Sequence, residues 1–218
     1  MKSKEKTVKI IIYGTGGFGR EVLTTINDCN KIKKKYEILG FIDDNKSLWG
    51  KKIENLPIRG GLDWFSKKEA KNVQCVVTIS DCLVRQKIIN KLEKLTVKFA
   101  TIIHPTTLYS NSVKIGEGTI IQAGCILTVT IRIGRHVHIN IASTIGHDCK
   151  INDFVTINPG SHINGNNTID KGAFIGTGTV TKQGIRIGKW SVIGAGTVLI
   201  NDVQDKAMYV GVPGKLKN

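Results

Sequence analysis

A six-residue step through the second half of the chain constrains the fold more than any other feature. It starts at Ile115 and continues through Ile121, Leu127, Ile133 and onward to Leu199. Fourteen of the fifteen positions on it are aliphatic, with Thr181 the exception. The residue after each is often a turn former, as at Gly116, Gly134, Asn152, Asp170 and Gly188, which suggests left-handed backbone there. Four positions after the aliphatic come small or β-branched residues such as Thr119, Ser143, Val155 and Thr197. A period of six suits neither a helix face nor an alternating strand; it marks hexapeptide repeats wound as a parallel β-helix. Three hexads close one coil, so residues 18 apart stack. The spacing therefore puts His147 between Val129 and Gly165, Asp148 between Thr130 and Asn166, and Thr156 between His138 and Phe174.

The first half has a different rhythm. Short apolar runs at Val8–Tyr13, Glu37–Ile42 and Gln74–Ile79 read as strands. Helical spacing covers Arg20–Cys29 and Cys82–Lys94, the latter with Leu83, Ile88, Leu92 and Leu95 on its apolar side. This alternation predicts an α/β N-terminal domain over 1–103 with a small parallel sheet, Rossmann-like βαβαβ, followed by the β-helix over 104–218.

Composition narrows the partners. The chain has 218 residues, 32 basic against 17 acidic, a formal charge of +15, and only 6% aromatics. The surplus is spread, with 21 basic and 11 acidic residues in 1–103 and 11 and 6 in 104–218. Such charge favours anionic partners. A nucleic-acid module is disfavoured, because no aromatics are interleaved with the basic residues as a stacking platform. Lys31–Lys35 reads as a solvated helix end. No apolar run is long enough for a membrane span, and the polar start lacks the profile of a secretory signal, so no membrane insertion is expected. The five scattered cysteines contain no CxxC and suit buried thiols of a cytoplasmic protein.

Gly14, Gly16, Gly17, Phe18 and Gly19 form a GxGxxG loop between a strand and a helix, an arrangement that presents backbone N–H groups to phosphate. Asp43 lies 24 residues beyond Gly19 at the end of the second strand, where a ribose partner would sit. The domain is too short for both halves of a dinucleotide site, so one nucleoside diphosphate is the better expectation. Asp44 is a second candidate, with a simple turn at Asp44–Asn45 as the alternative. Ser80, Asp81 and Arg85 follow the third strand within reach of the same ligand.

The hexads resemble those of left-handed β-helix acyltransferases. GTGGFGRE at 14–21, GFIDD at 40–44, IIHP at 102–105, IGHDCKINDFVTINPG at 145–160 and VGVPGK at 210–215 resemble one branch of these. That branch is the bacterial NeuD/PglD-type nucleotide-sugar acetyltransferases, which includes perosamine and related 4-amino-4,6-dideoxysugar N-acetyltransferases. The resemblance implies the left hand, a homotrimer with sites between subunits, and acetyl-CoA as co-substrate. It also implies N-acetylation of a nucleotide-linked amino-deoxysugar for surface polysaccharide such as lipopolysaccharide O-antigen.

N-acetylation needs a base for the amine proton and a donor for the thioester oxygen. Histidine beside a carboxylate supplies the first. By resemblance, His147 is the general base, Asp148 its orienting partner, and Gly165 a cofactor contact; stacked one coil from His147, the side-chain-free Gly165 also offers an N–H donor to the thioester. The glycine loop, Asp43, Asp44 and Ser80 become the nucleotide-sugar contacts. Thr156 stands where some members carry a second histidine near the cofactor, and Gly176, Gly194, Val212 and Pro213 fall in segments near CoA. Lys189, Lys206 and Lys215 are candidates for its phosphates. His104 reads as a junction turn residue, and His136, His138 and His162 as coil-surface residues. Histidines five apart, needed for a zinc site of the γ-carbonic-anhydrase type, are missing, so no metal is expected. Two other readings remain open from the sequence: a sugar O-acetyltransferase of the sialic acid type, and a non-catalytic nucleotide-sugar-binding protein.

Overall fold

The N-terminal sheet is built on β1 (Val8–Tyr13), whose apolar run from Ile10 to Tyr13 is buried on both faces, as a central parallel strand requires. In the computed structural model, which describes residues 7–217, α1 (Gly17–Ile32) follows at once, then β2 (Tyr36–Ile42). A short hairpin, β3 (Lys52–Ile53) and β4 (Leu56–Pro57), precedes β5 (Gln74–Val77). Then come α2 (Cys82–Lys94) and β6 (Lys98–Phe99). The sheet order is β2-β1-β5-β6, and every pairing is parallel.

The apolar side of α2 is rotated from its expected position. Arg85, Ile88, Ile89 and Leu92 are buried, while Leu83 and Leu95 are exposed. A charged residue inside displaces the stripe that apolar spacing alone predicts.

From Ile102 onward the chain winds as a three-faced parallel solenoid. Strand pairs are offset by 18 residues, as in Ile121↔Ile139 and Ile139↔Ile157. Ile121, Ile139, Ile157, Ile175 and Ile193 form one inward ladder in the solenoid core. Burial of each is worth about 1.5–3 kcal/mol. Thr181 interrupts the aliphatic positions; its hydroxyl accepts from the Asn164 amide and the Asn167 side chain. Buried Ser161, Thr179 and Ser191 tuck under corner carbonyls, donating to Asn158, Gly176 and Gly188 respectively.

The left-handed residues fall elsewhere than expected. They stand three positions after each aliphatic, at Gly118, Gly124, Thr130, His136, Ala142, Asp148 and onward. Gly116, Gly134, Gly146, Gly176 and Gly188, one position after it, have ordinary φ. Their glycines serve close approach: a Cβ at Gly146 or Gly188 would stand 2.5 Å from the amide nitrogen of the next coil, at Gly165 or Asp205.

The faces differ in what covers them. The face carrying His138, Thr156 and Phe174 packs under the N-terminal domain. The next, carrying Leu108, Ile126, Thr144 and His162, is open, with Leu108 and Ile126 exposed. The third is a mostly basic ladder of Lys114, Arg132, Lys150, Thr168 and Arg186. Arg186 is paired with Asp170 and Asp205.

Candidate active site

His147 and Asp148 occupy the solenoid edge between the open face and the basic face. His147 Nδ1 lies 2.8 Å from Asp148 Oδ2, and both side chains are 47% exposed. A carboxylate accepts only, so Nδ1 carries the proton in this pair and Nε2 is left as the acceptor. The left-handed φ of 60° at Asp148 turns its carboxylate back to the preceding side chain. One coil on, the imidazole lies over Gly165: a Cβ there would stand 2.5 Å from Nε2 and 2.7 Å from Cε1. The bond from the Asp148 amide to Val129 O and that from the Asn166 amide to His147 O follow the expected stacking.

The glycine loop is open where a ligand would approach. A Cβ at Gly16 or Gly17 would meet nothing within 4 Å, whereas Gly14 and Gly19 are needed for close packing against Thr78 and against Gly14 O. Gly16 caps α1 without a side chain, and the first turn carries no acidic residue. The helix start therefore offers unsatisfied N–H groups. Asp43 acts as the clamp of this loop, accepting from the Thr15 amide at 3.0 Å, from its hydroxyl at 2.6 Å, and from the Asn45 amide. Asp44 accepts from the Tyr13 hydroxyl at 2.7 Å, and burial together with this carboxylate pushes the Tyr13 phenol pKa up. Ser80 is exposed beside the same loop, and its carbonyl accepts from Thr156.

Several sequence candidates lie apart from His147. Thr156 is on the covered face, 1% exposed, with Arg85 and Ser80 using its hydroxyl. Gly176 and Gly194 lie on the edge between the covered and open faces, and Val212 and Pro213 close that edge at the C-terminal end. His136 and His138 are buried instead of lying on the coil surface, because the N-terminal domain covers them. Burial holds the His136 pKa down to about 3. His162 is exposed and meets Thr144, and His104 bridges Thr106 and Asp28 at the junction. Cys149, two residues from His147, is buried with its thiol toward Asn164 O.

Clefts of about 340–680 Å³ run along the N-terminal domain and its seam with the solenoid, and His147 lines none of these three. The glycine loop sits over the covered face through Phe18, 4.9 Å from the His138 ring, and His147 is on the edge opposite that face.

The stacked hexads, with a histidine–carboxylate pair on one edge, define a left-handed hexapeptide-repeat β-helix protein of the acetyltransferase type. A family model described as the PglD N-terminal domain matches residues 9–92. Among solved structures, WeeI from Acinetobacter baumannii is 35% identical, with a TM-score of 0.87, covering 97% of this chain and 100% of that one. A histidine mutant of perosamine N-acetyltransferase from Caulobacter crescentus, in complex with CoA and GDP-perosamine, has a TM-score of 0.89 at 26% identity. It covers 96% of this chain and 97% of that one. A GDP-perosamine N-acetyltransferase from Escherichia coli O157:H7 is 32% identical over 136 residues, 61% of this chain and 59% of that protein. The chain thus aligns with little more than half the length of this curated relative. The chain belongs to the PglD-type branch of the hexapeptide-repeat acetyltransferases.

Among the described residues no helix is long and apolar enough to cross a membrane.

Proposed function

We propose that the protein transfers the acetyl group of acetyl-CoA to the amine of a nucleotide-linked 4-amino-4,6-dideoxysugar, in the cytoplasm, for surface polysaccharide. The observation that carries this reading is the His147–Asp148 pair, its Nε2 free over a side-chain-free Gly165. A capless glycine loop suited to a diphosphate in the other domain supports it. The substrate amine attacks the thioester carbonyl and passes its proton to His147 Nε2. Asp148 keeps the imidazole in the receptive tautomer and stabilises the imidazolium. The Gly165 N–H stabilises the oxyanion, and collapse of the intermediate releases CoA as the thiolate. The nucleotide diphosphate lies against Gly14–Phe18 and Ser80. Asp43 acts there through the loop it clamps, and Asp44 faces the base or ribose. CoA runs along the edge carrying Gly176, Gly194, Val212 and Pro213.

The His147–Gly165 edge and the Gly176–Gly194 edge flank the open face on opposite sides, so in this reading the site draws on neighbouring copies, and a homotrimer built on that face completes it. Exposed Leu108, Ile126, Val129, Ile141 and Ile200 lie on this face and its edges, an apolar surface suited to burial between subunits.

The test is direct. Purified protein is given acetyl-CoA with GDP-, UDP- and dTDP-linked 4-amino sugars and their hydroxyl-only counterparts, and free CoA thiol is measured. Thiol release with an amino sugar, lost in His147→Ala, is expected. Transfer only to hydroxyl acceptors, no transfer at all, or near-normal rates in His147→Ala would overturn the reading.

A further inference from the structure

Arg85 is fully buried at 0% exposure, and none of its hydrogen bonds goes to a carboxylate. Its Nε has no partner, and desolvation lowers its pKa to about 10. An apolar side chain would fill this space without desolvating a charge. What the guanidinium supplies is a fork with donors in both directions. Toward the N-terminal domain, Nη1 donates to Ile79 O at 2.8 Å and Ser80 O at 3.1 Å. Toward the solenoid, Nη2 donates to Phe154 O at 2.6 Å, and Nη1 lies 3.0 Å from Thr156 Oγ1 and 3.1 Å from His138 Nδ1.

His138 extends the link. With Nδ1 accepting from Arg85, its Nε2–H donates to Val77 O at 3.1 Å, so the two partners fix one tautomer. Its other neighbour is the Phe18 ring of the glycine loop. Thr156 closes the circuit by donating to Ser80 O at 3.1 Å. Both loops that face the nucleotide, 14–19 and 78–81, are therefore held to adjacent solenoid coils through a single buried node.

We infer that Arg85, acting through His138 and Thr156, is a positioning residue: it locks the glycine loop and the Ser80 loop onto the solenoid and so sets where the nucleotide-linked amine is presented to the partner subunit's His147. This rests on the proposed acetyl transfer for its consequence, though not for its geometry.

The experiment compares Arg85→Met and Arg85→Lys with the wild type. Met fills a similar length of apolar space, and Lys keeps the charge without the fork. Steady-state KM is measured for the nucleotide sugar and for acetyl-CoA, with Tm, and GDP, UDP and dTDP are titrated calorimetrically against each protein. The expected result is a nucleotide-sugar KM raised at least tenfold, an acetyl-CoA KM within twofold, and weaker nucleoside diphosphate binding; Tm falls in the Met variant, because the Ile79, Ser80 and Phe154 carbonyls lose their donor, while acetyl-CoA affinity holds. Lys should recover only part of the loss. Unchanged nucleotide-sugar KM and diphosphate affinity would overturn the inference. So would a parallel loss of both substrates together with Tm, which would assign Arg85 to folding alone. If the wild type transfers no acetyl group, the functional reading fails, and the diphosphate titrations still decide whether Arg85 positions these loops.

Discussion

Replacing Gly165 by alanine should separate catalysis from folding. The added Cβ would stand 2.5 Å from His147 Nε2, 2.7 Å from Cε1 and 2.9 Å from Cδ2. Carbon contacts settle at about 3.5 Å, so the imidazole must retreat by about 1 Å. The ring can do so cheaply, because it is half exposed and swings toward solvent. The backbone accepts alanine, since φ at Gly165 is not left-handed. The substitution also lowers the entropy of the unfolded chain, worth about 0.4–1 kcal/mol in favour of folding. Stability should therefore hold or rise. A 1 Å misplacement of a reacting group costs about 100-fold in rate, equivalent to about 2.7 kcal/mol in the barrier. The Gly165 N–H survives in the variant, so the loss isolates the position of the imidazole. The assay is kcat/KM from thiol release beside a thermal melt. A variant with wild-type Tm that keeps more than a third of wild-type kcat/KM would refute the argument. Activity lost only in proportion to lost folded protein would refute it too.

Three further expectations concern other parts of the molecule. Asp148→Asn should lower kcat by about 10²–10⁴, because the amide can donate to Nδ1 and hold the wrong tautomer; the pH–rate profile and KM of the variant check it. Thr181→Val makes the aliphatic ladder complete yet should destabilise by about 1–3 kcal/mol, since it leaves the Asn164 and Asn167 donors without their acceptor; urea melts measure it. His136 is held neutral by burial, with its pKa down at about 3, so the unfolded chain takes up its proton first as pH falls. Its contribution is present above about pH 6.5 and is lost toward pH 3, at about 1.4 kcal/mol per pH unit. His136→Phe should flatten that part of the stability–pH curve and also remove the unpartnered Nε2.

Much of the solenoid was legible because its contacts repeat at a fixed sequence distance. The inward ladder, the stacking of His147 on Gly165 and the neighbours of Thr156 all follow from the step of six. The left-handed positions were not legible. Winding imposes the angle on whatever residue stands there: Thr130 takes it on an exposed corner, whereas His136 and Phe154 take it and stack on each other. The burial of His136, His138 and Arg85 depends on how the two halves dock, and no local period encodes that. The bidentate partners of Arg85 come from segments about 70 residues away in sequence, as with Phe154 at a separation of 69. Asp43 was recognisable as a loop-associated acid, but its partner, the Thr15 backbone and hydroxyl, emerges only when the strand ends meet.

The fixed offset of 18 residues between stacked strands also governs how such a chain can change length. One residue gained or lost inside a coil would turn every later side chain out of its ladder and carry His147 off its edge. A whole coil can be duplicated or deleted with each rung still meeting its own kind, and extra residues can bulge outward from a corner. Heritable variation in the stacked part of this half is thus quantised, and the distance along the stack between the His147 edge and the C-terminal closing segment changes only in whole turns, whatever bulges from a corner.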